Sequence, residues 1–207
     1  MFDATVRELF LQAGQMHNLD PAALAAIAQT ESGGIVTTRI KGRDEPLIRF
    51  EGHYFDKRLS PAEQATARAL KLSSPKAGAI PNPAGQAARW QMLERAARID
   101  RVAAYESTSW GVGQVMGAHW HWLGYPSVEE MTETVRSSVT QQIELMTRFI
   151  VYGNLRDVLN KHDWRKLAHS YNGPLFAKNK YDLKLAQAYA LYRPLFPPFR
   201  PLAVSTA

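Results

Sequence analysis

The stretch from Asp20 to Gly34 constrains the fold most, because both of its ends are marked. Asp20 followed by Pro21 is an N-cap with proline at the first helical position, and Gly33-Gly34 is a C-terminal stop. Between them Leu24, Ile27 and Ala28 recur at helical spacing and lead to Glu31. Glu31 lies four residues after Ile27 and seven after Leu24, so it shares their face, the one expected to be buried. A carboxylate there is desolvated and sits in the last turn, where the helix dipole disfavours negative charge. Both effects favour the protonated form near neutral pH, which is what a general acid requires. Spacing alone leaves a second placement open, with the side chain curled out to solvent at a frayed helix end.

The rest of the chain also reads as mostly α. Val6, Leu9, Phe10 and Ala13 give a helix over 3–17, and Ser60-Pro61-Ala62-Glu63 opens another with a capping-box spacing. Further helices are predicted at about 86–106, 127–135, 138–152, 154–160, 163–171 and 181–193. Residues 35–55, with Leu47, Ile48 and Phe50, read as a short strand or extended loop. Pro75, Gly78, Pro81 and Pro83 make 73–85 a loop, and the proline-rich tail 194–207 is expected to wrap the surface in extended form. The 207 residues suggest a single domain over 1–207.

Two more segments carry chemistry. Tyr105 to Gly117 alternates Gly111, Gly113 and Gly117 with apolar residues and Gln114. Glycines admit close approach of a ligand, the Gln114 amide suits hydroxyl or N-acetyl groups, and Trp110 offers a stacking face. A glycine-rich turn with a core tryptophan fits the same residues. Tyr171-Asn172-Gly173-Pro174 projects a phenol and an amide at a helix end, and an ordinary C-cap with Asn172 or Gly173 left-handed fits equally.

Composition narrows the chemistry. Without cysteine, thiol nucleophiles, disulfides and thiolate metal sites are excluded. Of the six histidines, His119 and His121 are spaced like a ligand pair, but no third ligand accompanies them, so no metal and no cofactor is expected. There is no nucleotide-binding glycine motif. Twenty-five basic against nineteen acidic residues give a charge of +6, a surface that favours polyanions. A nucleic-acid module would need the basic cluster Lys178, Lys180 and Lys184 interleaved with aromatics on a recognition element; Tyr181 and Tyr189 are better explained as helix packing, so no nucleic acid is expected. No stretch approaches the roughly 18 apolar residues that span a bilayer, and no secretory signal is expected from the N-terminal residues.

Taken together, these pieces resemble the phage-endolysin N-acetylmuramidase domain, within the goose-type lysozyme and soluble lytic transglycosylase superfamily. The matching blocks are Thr30-Glu31-Ser32-Gly33-Gly34, Phe50 to Phe55, Glu106 to Gly117, Asp163-Trp164 with Tyr171 to Pro174, and Lys178 to Leu185. They span about residues 20–192 in order; the stretch 57–90 carries no sharp motif. The resemblance implies a lysozyme-like helical domain with a groove and at most a small β element. It implies a peptidoglycan hydrolase cleaving between N-acetylmuramic acid and N-acetylglucosamine, with Glu31 as the acid. The anionic bacterial wall becomes the natural partner of the basic surface. No separate wall-binding module is expected, and the protein is expected to be a monomer. It is expected to be made in a bacterial cytoplasm and to reach periplasmic peptidoglycan by release or delivery. A lytic transglycosylase and a non-catalytic wall-binding protein are the rival readings.

The resemblance leaves the second carboxylate open. Glu106, ahead of the glycine-rich segment, ranks first; Glu51, which His53 is placed to hold, second; and Asp44, in a charged run, a distant third. Gln114 and Asn172 are expected to contact substrate, with Tyr171 shaping the site.

Overall fold

The structure is a computed structural model that describes residues 1–202. It divides into two compact units, one made of Met1–Ile35 with the chain from Ile143 onward, the other of Val36–Gln142. Among the described residues there are eleven α-helices and two small antiparallel sheets, a mostly α protein. Residues 203–207 of the expected extended tail lie outside the described residues.

The first unit is built on α2 (Pro21–Ser32). Asp20 accepts from the amides of Ala22 and Ala23, and Gly33 closes the helix in the left-handed region at φ 66°. Every residue from Pro21 to Ala28 is buried. Six of these eight are alanine, proline or another small residue, so neighbouring helices approach closely; α1 (Ala4–His17) and α11 (Tyr181–Tyr192) pack against α2. Phe10, Leu24, Ile27, Met146, Ile150, Leu167 and Tyr192 fill this core. Burial of each large side chain contributes about 1.5–3 kcal/mol. The remaining helices are α8 (Val139–Tyr152), α9 (Arg156–Asn160) and α10 (Trp164–Asn172), with α8 entering from the second unit. The Tyr192 phenol accepts the Phe2 amide proton at 2.9 Å and donates to Gln29 Oε1 at 2.7 Å.

In the second unit, β1 (Thr37–Ile40) and β2 (Arg43–Pro46) form a hairpin. Its two-residue turn, Lys41-Gly42, has φ 48° and 81°, the twist a tight hairpin needs. The other sheet runs β3 (Ile48–Phe50), β4 (Thr108–Trp110), β5 (Val115–Met116). The open edge of β3 is covered by two side-chain amides rather than by a strand. Asn82 accepts from the Phe50 amide at 3.0 Å and donates to its carbonyl at 2.6 Å. Gln86 does the same for Ile48, at 3.0 and 3.3 Å. The motif-poor loop 73–85 thus leads into the residues that satisfy a sheet edge.

Five helices surround these strands: α3 (Gly52–Arg58), α4 (Pro61–Ala69), α5 (Gln86–Ala97), α6 (Arg101–Glu106) and α7 (Val128–Ser137). The capping box at Ser60 and Glu63 forms as expected. The helix expected over 86–106 is two helices. Asp100 accepts from the Ala103 amide, and this new N-cap starts α6. The stretch 35–55 holds three strands and the start of α3, and the glycine-rich segment holds two strands. These pieces are too short for periodicity to reveal. Glu45, buried on β2, takes a bidentate pair from Arg136 of α7 at 2.7 and 2.8 Å. The Arg136 guanidinium also lies 5.1 Å from the Trp90 ring centre.

Candidate active site

Glu31 ends the apolar helix α2 and is half-buried, between the two placements its spacing allowed. Asn172, the last residue of α10, donates from Nδ2 to Glu31 Oε1 at 2.7 Å. Gly173, not Asn172, takes the positive-φ position at 78°, so the asparagine amide is released from capping and turned toward the carboxylate. Tyr171 packs edge-on against Phe149 with ring centres 5.0 Å apart. Burial first, and then the negative charge of Glu31, push its phenol well above the usual tyrosine range. The Tyr171 hydroxyl therefore keeps its proton at any working pH. The structure brings Glu31, Tyr171 and Asn172 together in one unit, across 141 residues of sequence in the case of Glu31 and Asn172.

The other sequence-predicted residues belong to the second unit. Glu106 closes α6 and is held at both oxygens, by Arg58 Nε at 3.0 Å and by Trp120 Nε1 at 2.8 Å. It does not cap the glycine loop that follows. Arg58 in turn donates to the Tyr54 carbonyl and lies over the Tyr54 ring. Glu51 is paired with Arg49 Nε at 2.7 Å, while His53 Nδ1 stands off at 3.7 Å, beyond hydrogen-bond reach. Asp44 is exposed on the hairpin and paired with Arg39 at 3.1 Å.

Gln114 has a left-handed backbone at φ 47°, and its Nε2 donates to the carbonyls of Leu47 at 3.2 Å and Gly111 at 2.9 Å. That fixes the amide plane. Trp110 is 1% exposed, so no sugar stacks on it; it is a core residue with its indole N–H on the Tyr105 carbonyl. His119 accepts from Trp122 Nε1 at 3.0 Å, and its pKa is lowered by burial and by the Arg58 charge. Among the described residues no group of three His, Cys, Asp or Glu is placed to hold a metal.

Sequence reasoning missed Arg58 and Trp120, the two groups that hold Glu106. Trp120 was legible only as the middle of a histidine pair, and no pattern marks Arg58. The last glycine of the segment has a packing reason: a Cβ on Gly117 would overlap the Tyr105 carbonyl oxygen, which is backbone and cannot swing away. Gly117→Ala is therefore expected to destabilise the protein by about 1–3 kcal/mol, the cost of overpacking. Urea unfolding with an unchanged midpoint would show that the loop absorbs the methyl group.

A small-residue helix ending in a held glutamate, within a mostly α frame carrying short antiparallel strands, defines a lysozyme-like fold. The family model of N-acetylmuramidases matches residues 20–193, and the chain belongs to that family of peptidoglycan-degrading enzymes. Among solved structures it is similar to a Burkholderia AP3 phage endolysin, with 33% sequence identity and a TM-score of 0.75. That match covers 91% of this chain and 71% of the endolysin. Comparison with curated proteins gives no match. Among the described residues no helix is long and apolar enough to cross a membrane.

Proposed function

We propose that the protein is a muramidase that hydrolyses the bond between N-acetylmuramic acid and N-acetylglucosamine, with Glu31 as general acid. The observation that carries this reading is the 2.7 Å contact of Asn172 with Glu31 Oε1 at the C-terminal end of a buried helix. The contact orients the carboxyl group. Proton transfer from Glu31 to the glycosidic oxygen lets the leaving sugar depart as an alcohol. Tyr171, kept as a phenol, shapes the acid's surroundings. The Asn172 amide and the side-chain oxygen of Gln114, whose Nε2 is engaged by Leu47 and Gly111, suit the hydroxyl and N-acetyl groups of the glycan.

The oxocarbenium-like transition state needs an opposing negative charge or an activated water. Glu106 remains our first choice. Arg58 Nε and Trp120 Nε1 hold its two carboxyl oxygens in one orientation; Glu51 is the alternative. Glu106→Gln is expected to slow turnover on the order of 10²-fold with little change in binding to sacculi. Near-full activity there, with loss in Glu51→Gln, would exchange the two assignments. Loss in neither would leave Glu31 acting with water held by other groups.

Hydrolysis is expected over transglycosylation. Mass spectrometry of digested sacculi should show muropeptides with free reducing muramic acid, whereas dominant 1,6-anhydro products, lighter by one water, would assign a lytic transglycosylase. The proposed setting is phage-type lysis: the protein acts as a monomer on periplasmic peptidoglycan after release from the cytoplasm.

A further inference from the structure

A second concave site lies wholly within the first unit. It is a cavity of about 410 Å³ lined by the start of α2, the end of α9 and the turn after it, α11 and the segment that follows. Its polar side is organised by Asp20, which is 3% exposed. Besides capping α2, Asp20 Oδ2 accepts from His162 Nε2 at 2.8 Å and from the Tyr189 hydroxyl at 3.0 Å. Burial and then the Asp20 charge push the Tyr189 phenol up to about 12. His162 is held further by its rings: Tyr189 at 4.3 Å and Trp164 at 5.3 Å between centres. Its backbone stands at φ 55°, a left-handed conformation that a non-glycine residue adopts when its surroundings demand it.

These contacts fix the chemistry the cavity presents. In the neutral imidazole, a carboxylate that accepts at Nε2 assigns the ring proton to that nitrogen and leaves Nδ1 as an acceptor. Arg193 also lines the cavity and is exposed, and its guanidinium makes no hydrogen bond or ion pair with the described residues. Its positive charge is felt at the Tyr189 phenol. The segment after α11 adds an apolar lining, with half-buried Phe196 and Phe199 set among prolines. A planar cation, one aimed acceptor and an aromatic wall together match an N-acylated amino acid with a free carboxylate and a small apolar side chain. The carboxylate takes the guanidinium fork, the amide N–H donates to Nδ1, and the methyl group lies on the phenylalanines.

We propose that this cavity binds the carboxylate end of a short alanine-type peptide, the chemistry of the stem peptides that hang from the glycan strands. The choice of ligand rests on the peptidoglycan reading of the enzyme; the site itself does not use Glu31. A bound stem would hold the enzyme on its polymer between cleavage events.

The test is a titration of the ¹⁵N-labelled protein with N-acetyl-D-alanyl-D-alanine, followed at the His162 ring nitrogens and Arg193 Nε. Saturable shifts at both are expected in the millimolar range, typical of a small ligand. Arg193→Ala, at an exposed position, should weaken binding about tenfold, and Arg193→Lys should recover only part because an ammonium offers no fork. No shift at either residue, equal affinity in Arg193→Ala, or the same shifts produced by acetate alone would overturn the proposal. The titration involves no turnover, so lysis without binding sinks this site alone. Binding without lysis sinks the muramidase reading alone.

Discussion

Glu31→Gln is expected to cut lysis of permeabilised Gram-negative cells on the order of 10²–10⁴-fold, the span of a lost proton donor. The glutamine keeps the shape and keeps an Oε1 that accepts from Asn172, so the contact at the helix end survives. The melting curve and far-UV circular dichroism should therefore overlay those of the wild type. An active, folded Glu31→Gln protein would remove the central assignment. Were the variant unfolded, Asn172→Ala provides the second measurement. It keeps the acid but frees its rotamer, and should lower kcat by a smaller factor while shifting the pH profile. An unchanged rate and profile there would separate Asn172 from the acid.

Glu45→Ala is expected to give the largest loss of stability, about 3–5 kcal/mol, since it strands the Arg136 guanidinium away from water. Glu133 stays within 2.6 Å of Arg136, but it is largely exposed and holds only one nitrogen. For a chain of this size the loss corresponds to a fall in Tm of about 6–20 °C. The double variant Glu45→Leu with Arg136→Met should recover much of it, because removing both charges removes the burial cost as well. A small effect in Glu45→Ala would mean that water reaches the guanidinium and that the hairpin is not pinned through this pair.

What the sequence made legible is what local rules decide. Asp20-Pro21 and Gly33 bounded α2 because an N-cap, a proline and a left-handed glycine act within a few residues. Ser60 and Glu63 behaved the same way. The break in 86–106 escaped because Ile99 continues the apolar spacing while Asp100 caps a fresh helix, and the pattern cannot distinguish the two. The three-stranded sheet escaped because its pairing partners are remote: Ile48 meets Trp110 across the sheet, and the edge beyond is closed by Asn82 and Gln86. In the site, Glu31 stood out from its helix face, whereas the clamp on Glu106 depends on Arg58, 48 residues away. Trp110 illustrates the opposite error. A tryptophan among glycines reads as a stacking platform until tertiary packing encloses it.

The first unit is discontinuous along the chain, and this bears on the order in which a ribosome can complete the protein. Residues 36–142 form one uninterrupted unit and can fold once that span has emerged. Helix α2 is synthesised before it, yet its packing partner α11 begins only at Tyr181. Through that interval the alanine-rich face of α2 has nothing from α11 to cover it, and Glu31 lacks Asn172. The acid is thus assembled late, near the end of translation, and a nascent chain stalled before residue 172 holds the glutamate without the amide that orients it.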